Sequence, residues 1–327
     1  MKEQEPVNKN EAKRMNPTMW RRIGASAASA LVAASLAWGT YEHFDTSGDL
    51  ISKKPTKLAN PTNDDKVTVL TMNLEGKAYE HRYDIKEIVE DQNVDVAMFQ
   101  EVERNDVDRL HKFFPSSYMN YVLASRWTHA LQGGYGNLIM SELEQTDVEH
   151  KSLAGNSAGD KIKHWLKGTP QDIAGLDLSA TKTVEASQEP RAIVSSITTF
   201  DSSYGPRKVE FANTHLGGDP AGNGPKVHDQ QFDETLEVAE QNDQEGQGSI
   251  ICGDLNSWRE KLTFDFAEKG YVLSESDGPT TLSGKDIDLC AYKSNGVLGL
   301  ATTETLNDTD DPRSDHYGVV VTWPIRP

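Results

Sequence analysis

Apolar residues recur along this chain in short, uniform runs. Residues 67–72, 94–100, 137–140, 192–198, 209–214, 249–252, 287–292 and 318–323 are each rich in Val, Ile, Leu, Phe or Thr and have the length of strands. Between them the spacing changes. Residues 82–92 set Ile85, Ile88 and Val89 on one helical face, and residues 227–241 do the same with Phe232, Leu236 and Ala239. Gly and Pro punctuate the joins. No internal repeat is visible. The mixture predicts two packed sheets with helices on their outer faces, built as one domain over residues 66–327.

The first part of the chain has a different texture. Residues 1–22 are polar and carry Lys2, Lys9, Lys13, Arg14, Arg21 and Arg22 against Glu3, Glu5 and Glu11. Residues 23–40 begin with an uncharged stretch of Ala, Ser and Leu. A positive flank before such a stretch is the pattern of a signal peptide or a membrane anchor. Ser35-Leu36-Ala37 offers a small-residue cleavage site, and retention would tether the protein to a membrane. Residues 41–65, with Pro55, Pro61 and few apolar positions, read as a linker. Within the domain, residues 146–190 are long, polar and weakly periodic, with a short helical possibility at 161–166. That insertion is either a binding element or a surface loop without further role.

Composition narrows the chemistry. At 36% hydrophobic and 26% charged residues the chain can bury a sizeable core. The net charge of −18 is the opposite of the basic footprint that non-specific contact with phosphate backbones requires, so phosphate binding would have to be local and assisted by a cation. The two cysteines, Cys252 and Cys290, form no Cys/His cluster, which argues against structural zinc. They are either small buried side chains or, outside the cytoplasm, one disulfide.

The strand runs share one further property. They terminate in groups that bind metal or move protons: Asn73 after 67–72, Glu101 after 94–100, His215 after 209–214, Asp254 and Asn256 after 249–252. Asp288 begins another run, and Asp315-His316 precede the last. One such ending is ordinary turn chemistry; their repetition is not. In order, Thr71-Met72-Asn73-Leu74, Phe99-Gln100-Glu101-Val102, Gly136-Asn137-Leu138-Ile139-Met140-Ser141, Asn213-Thr214-His215-Leu216, Gly253-Asp254-Leu255-Asn256, Asp286-Ile287-Asp288-Leu289 and Ser314-Asp315-His316 resemble the motifs of the endonuclease/exonuclease/phosphatase superfamily. The resemblance spans residues 67–323.

That resemblance implies a deoxyribonuclease I-like fold, a four-layer α/β sandwich of two mixed sheets flanked by helices, and a hydrolase of phosphate esters. It implies Asn73, Glu101 and Asp315 as ligands of Mg²⁺ or Mn²⁺, since oxygen donors suit hard cations. His215, Asp254, Asn256, Asp288 and His316 would be catalytic, with Asp288 orienting the His316 ring. Glu75 is a further metal ligand or a solvated turn carboxylate. Arg191 forks onto a substrate phosphate or pairs inside the core. Ala212, where abasic-site enzymes of the superfamily carry a tyrosine, speaks against abasic-site repair. The substrate is a phosphate ester in nucleic acid or a phospholipid headgroup, with a nuclease favoured over a lipid phosphodiesterase or phosphomonoesterase; no obligate protein partner is evident. A non-catalytic tethered surface protein is the rival class, and a complete set of site residues weighs against it.

Overall fold

The uniform apolar runs become strands covered on both faces, which is why they lack the alternation of a half-exposed sheet. The computed structural model describes residues 49–57, 65–125, 134–154, 191–218, 224–241, 244, 246–306 and 314–327. The N-terminal segments 1–22 and 23–40, and the helical possibility at 161–166, lie outside the described residues. No described helix is long and apolar enough to cross a membrane.

One sheet has seven strands: β1 (Leu50–Lys53), β2 (Lys66–Asn73), β3 (Val96–Glu103), β4 (Tyr118–Ser125), β5 (Tyr135–Ser141), β12 (Thr302–Leu306) and β13 (Gly318–Pro324), in the order β1-β4-β5-β3-β2-β13-β12. The other has six: β6 (Gln145–Leu153), β7 (Arg191–Ser202), β8 (Gly205–His215), β9 (Gln247–Asp254), β10 (Val272–Leu273) and β11 (Asp288–Lys293), in the order β10-β11-β9-β8-β7-β6. The helices are α1 (Arg82–Asp91), α2 (Arg104–Phe113), α3 (Gly224–Glu240) and α4 (Arg259–Glu268).

Side-chain direction divides each strand between two cores. Val67 and Val69 of β2, Val209 and Phe211 of β8, and Trp323 of β13 meet between the sheets. Leu70, Met72 and Phe99 turn outward onto Ile85, Val107 and Leu110 of α1 and α2. Ala212 and Ile251 turn outward onto Phe232 and Leu236 of α3 and Leu262 and Phe266 of α4. Helix, sheet, sheet, helix: the result is a four-layer sandwich.

Two central pairs are parallel, β2 with β3 and β8 with β9, and the other described pairs are antiparallel. A parallel pair needs a crossover, supplied by α1 in the first case and α3 in the second. Its consequence is that both strands of each pair end on the same side, with Asn73 beside Gln100 and His215 beside Asp254.

Three expectations need correction. The linker 41–65 contains the edge strand β1, registered on β4 from Leu50↔Val122 to Lys53↔Met119. Four residues are too few to show a period. The insertion 146–190 begins as strand rather than loop, because β6 pairs along β7. Its polar residues are tolerated at a sheet edge. The β3 run does not stop at Gln100 but continues through a bulge to Glu103. The helices α2 and α4 also went unread, although Val107 and Leu110 of one and Leu262 and Phe266 of the other are buried.

Candidate active site

Each of the ten singled-out residues stands at one rim of the paired sheets, and local backbone geometry explains how they converge. The β3 bulge gives Glu101 a φ of 53° and breaks the register between Phe99 and Val102, so its side chain leaves the sheet face. At the end of β9, Gly253 has a φ of 150°, and a Cβ there would lie 1.8 Å from the Thr214 carbonyl oxygen. Only glycine lets β8 and β9 approach that closely. Asn256, with a φ of 48°, then turns the chain back over the site.

Asp254 is the hub. Its Oδ2 accepts from Asn73 Nδ2 at 3.2 Å and lies 3.3 Å from His215 Nε2 and 3.7 Å from His316 Nε2. Its Oδ1 accepts the Asn256 backbone N–H at 3.1 Å. Asp288 Oδ2 sits 2.7 Å from His316 Nδ1, and the Thr280 hydroxyl accepts the backbone N–H groups of Ile287 and Asp288. Arg191 is buried, with Nη1 2.9 Å from His215 Nδ1. A guanidinium only donates, so the His215 proton resides on Nε2, facing Asp254. Glu101 Oε1 is 3.7 Å from the same Nδ1. Asn256 Nδ2 donates to the Leu216 carbonyl and lies 3.1 Å from His215 Nε2.

The titratable groups are driven apart. Burial, then the neighbouring Asp288 charge, pushes Asp254 up to about 7, while His316, Asn73 and Arg191 pull against them. Burial works against the charge on His316, but the hydrogen bond to Asp288 and the charges of Asp288, Asp254 and Asp315 outweigh it and hold the ring up to about 9. His215 goes the other way, well below its ordinary range, through burial and the charges of Arg191 and His316. One histidine is therefore a neutral donor and the other a cation. Burial raises Asp288 as well, offset by His316 and Thr280.

Depth separates two groups. Asp254, Asp288 and His215 are buried, whereas Asp315 is 60% exposed, Glu75 32% and Glu101 25%. At the mouth, burial and the hydrogen bond shared with Glu75 raise Asp315, while on Glu75 burial is overcome by Lys77 and Asp315. Glu75 and Asp315, sharing a hydrogen bond, need a shared proton or a cation. Of the other expected ligands, Asn73 Oδ1 accepts the Glu75 N–H at 3.1 Å and Glu101 stands by His215, and all four offer oxygen. Such a donor set fits a hard divalent ion. A second grouping was not singled out as a metal site from the sequence. Asp254, Asp288 and His316 each offer a ligand atom, all within 4.8 Å of one another. His316 Nδ1 is engaged by Asp288, so His316 could serve as a ligand only through Nε2 and only after losing the proton that its carboxylate neighbours hold on it.

Sequence reasoning also gave no role to the polar ties under the site. Asn213 Nδ2 donates to the carbonyls of Phe99 and Leu138 across the sheet interface, and its Oδ1 accepts from Gln100 Nε2 at 2.7 Å. Asn137 Nδ2 donates to the Ala192 carbonyl. Asn213 lies within the run 209–214 and Asn137 opens the run 137–140, and a polar amide in a buried strand was the available signal.

No curated protein matches the chain by sequence comparison. Among solved structures it is similar to an endonuclease/exonuclease/phosphatase from Beutenbergia cavernae, at 16% identity and a TM-score of 0.57 over 80% of this chain and 72% of that one. The human nocturnin catalytic domain matches at 15% identity and 0.56, over 85% of this chain and 97% of that one. D. rerio TDP2, complexed with a single-strand DNA product, matches at 15% and 0.53, over 80% and 99%. At such identities the likeness is one of fold. The family model for the endonuclease/exonuclease/phosphatase family matches residues 70–318, which hold each of the site residues described above, and the chain belongs to that family, whose members hydrolyse phosphate esters.

Proposed function

We propose that this chain is an exported, divalent-metal-dependent phosphodiesterase acting on nucleic acid. The observation that carries the reading is the pairing of a buried carboxylate poised near neutrality, Asp254, with a histidine held cationic by a second carboxylate, His316 on Asp288. A group that takes a proton from water and one that donates to an anionic oxygen are what hydrolysis of a phosphodiester demands.

In this reading Asp254 accepts the proton of the attacking water, fixed for that task by Asn73, His215 and the Asn256 N–H. His316 donates to a phosphate oxygen, and Asp288 fixes its tautomer and orientation. Neutral His215 donates through Nε2, with Arg191 behind it setting the tautomer rather than reaching a substrate phosphate. Glu101, Asn73, Glu75 and Asp315 would hold Mg²⁺ or Mn²⁺, which when bound neutralises charge on the phosphate and the leaving oxygen.

Nucleic acid is favoured as substrate by the D. rerio TDP2 structure, which holds a single-strand DNA product on the same fold. Export is supported by the disulfide between Cys252 and Cys290, a bond that persists outside the reducing cytoplasm. The purified protein with Mg²⁺ should cleave single-stranded oligonucleotides and lose that activity in chelator. Hydrolysis of sphingomyelin or inositol phosphates with no cleavage of DNA or RNA would overturn the substrate, and full activity in excess chelator the metal.

A further inference from the structure

Asp254, Leu255 and Asn256 form the turn that carries the proton acceptor, and the turn is anchored at several points. The Leu255 N–H donates to the Ile287 carbonyl at 2.9 Å, the Asp254 carbonyl accepts from Leu216 N at 3.0 Å, and the Asn256 amide donates to the Leu216 carbonyl at 3.0 Å. One group of the turn is held from outside the site. The Leu255 carbonyl lies 2.9 Å from Nε2 of His228, a side chain of α3 with no solvent exposure.

We propose that His228 is a positioning residue for Asp254: by holding the Leu255 carbonyl it fixes the Leu255–Asn256 peptide plane, and with it the N–H that Asp254 accepts. A carbonyl only accepts, so the His228 proton resides on Nε2. The C=O and N–H of one trans peptide are coplanar and point in opposite directions. Drawing the oxygen toward α3 therefore aims the Asn256 N–H away from α3, where Asp254 Oδ1 receives it at 3.1 Å. The plane needs holding, because Asn256 has a φ of 48° and rotation of this peptide would release that conformation. The other ring nitrogen points the same way. Among the described residues His228 Nδ1 has no hydrogen-bond partner; Asp229 Oδ1 stands 3.7 Å away. Burying an unpaired nitrogen is a cost that an apolar side chain of similar size avoids. What histidine adds at this position is the donor.

The inference rests on Asp254 as the proton acceptor, so its test has one readout that depends on turnover and one that does not. Full-length wild type, His228→Leu and His228→Gln are compared on bis(p-nitrophenyl) phosphate with Mg²⁺. His228→Leu should lower kcat about 10–100-fold, the range for groups that orient a site residue from behind. KM should stay within about twofold, because the lost interaction matters to turnover rather than to binding. His228→Gln, whose amide reaches as far as Nε2, should recover most of kcat. Hydrogen exchange at the Asn256 amide should accelerate in His228→Leu and remain slow in His228→Gln. Equal kcat in all three proteins, equal losses in both variants, or unchanged Asn256 exchange in His228→Leu would overturn the proposal. Should His228→Leu fail to fold, His228→Asn, whose amide falls short of Leu255, takes its place. If the wild type hydrolyses no diester, the reading of Asp254 fails, and exchange at Asn256 alone decides whether His228 holds the turn.

Discussion

At the scale of single residues, the site works by contrast between neighbours. Asp254 and His316 lie 3.7 Å apart and both hold their protons to higher pH than usual, Asp254 to about 7 and His316 to about 9, so between those values the carboxylate is ionised while the imidazole is still a cation. The sign of the pH dependence follows. Asp254 must be ionised to accept a proton, so kcat should rise as pH increases through its value. His316 must be protonated to donate, so kcat should fall as pH passes its own. The profile is a bell with its top between the two, and a cation near Asp254 moves the acid limb lower. Asp288→Asn removes the charge that supports His316, so the basic limb should shift toward neutral pH and kcat should fall about 10²–10⁴-fold. Turnover measured against pH for both proteins checks this; an unmoved basic limb in Asp288→Asn would leave Asp288 as a turn residue only.

Elements matter through where they stop and how they pair. The parallel pairs β2–β3 and β8–β9 deliver their C-terminal residues to one rim, and the antiparallel neighbours β11 and β13 begin there, bringing Asp288 and the preceding Asp315 and His316. Cys252 and Cys290 face each other directly in the β9–β11 register, each two residues from a site carboxylate. The bond closes a separation of 38 residues between the strands that carry Asp254 and Asp288. Replacing both cysteines with alanine should destabilise the protein by about 2–4 kcal/mol, mainly by freeing the unfolded chain. Urea unfolding of the two proteins measures it, and an unchanged midpoint would count against the bond as a staple.

For the whole molecule, the net charge of −18 sets terms for any polyanionic substrate. Long-range attraction is lacking, so affinity has to come from the cation-assisted site itself. Location belongs to this scale too. A positively flanked uncharged stretch at residues 23–40 and a disulfide buried in the core both favour a domain outside the cytoplasmic membrane. A reporter fused after Pro327 should therefore be active only if it functions outside the cytoplasm. Strong signal from one that works only inside would refute export.

Much of this protein was legible along the chain because burial writes itself into local pattern. Strands covered on both faces become uniform apolar runs, so the eight runs named from sequence all hold core strands, and the polar residues that end them are the rim. Other elements went unread: the short edge strand β1, the polar edge strand β6, helices α2 and α4, and also β4, whose Met119, Tyr121, Val122 and Leu123 are buried. Roles within the site were harder still. That Asn73, Glu101, His215, Asp254, Asp288 and His316 belong together could be read from their order and motifs. Which histidine is neutral could not, because it depends on Arg191 standing 2.9 Å from one ring and Asp288 2.7 Å from the other. The partners of the two rings lie 24 and 28 residues away in sequence, and His228 reaches Leu255 from 27 residues away. Protonation and orientation are set by distances and burial, and those exist only once the two sheets have closed on each other.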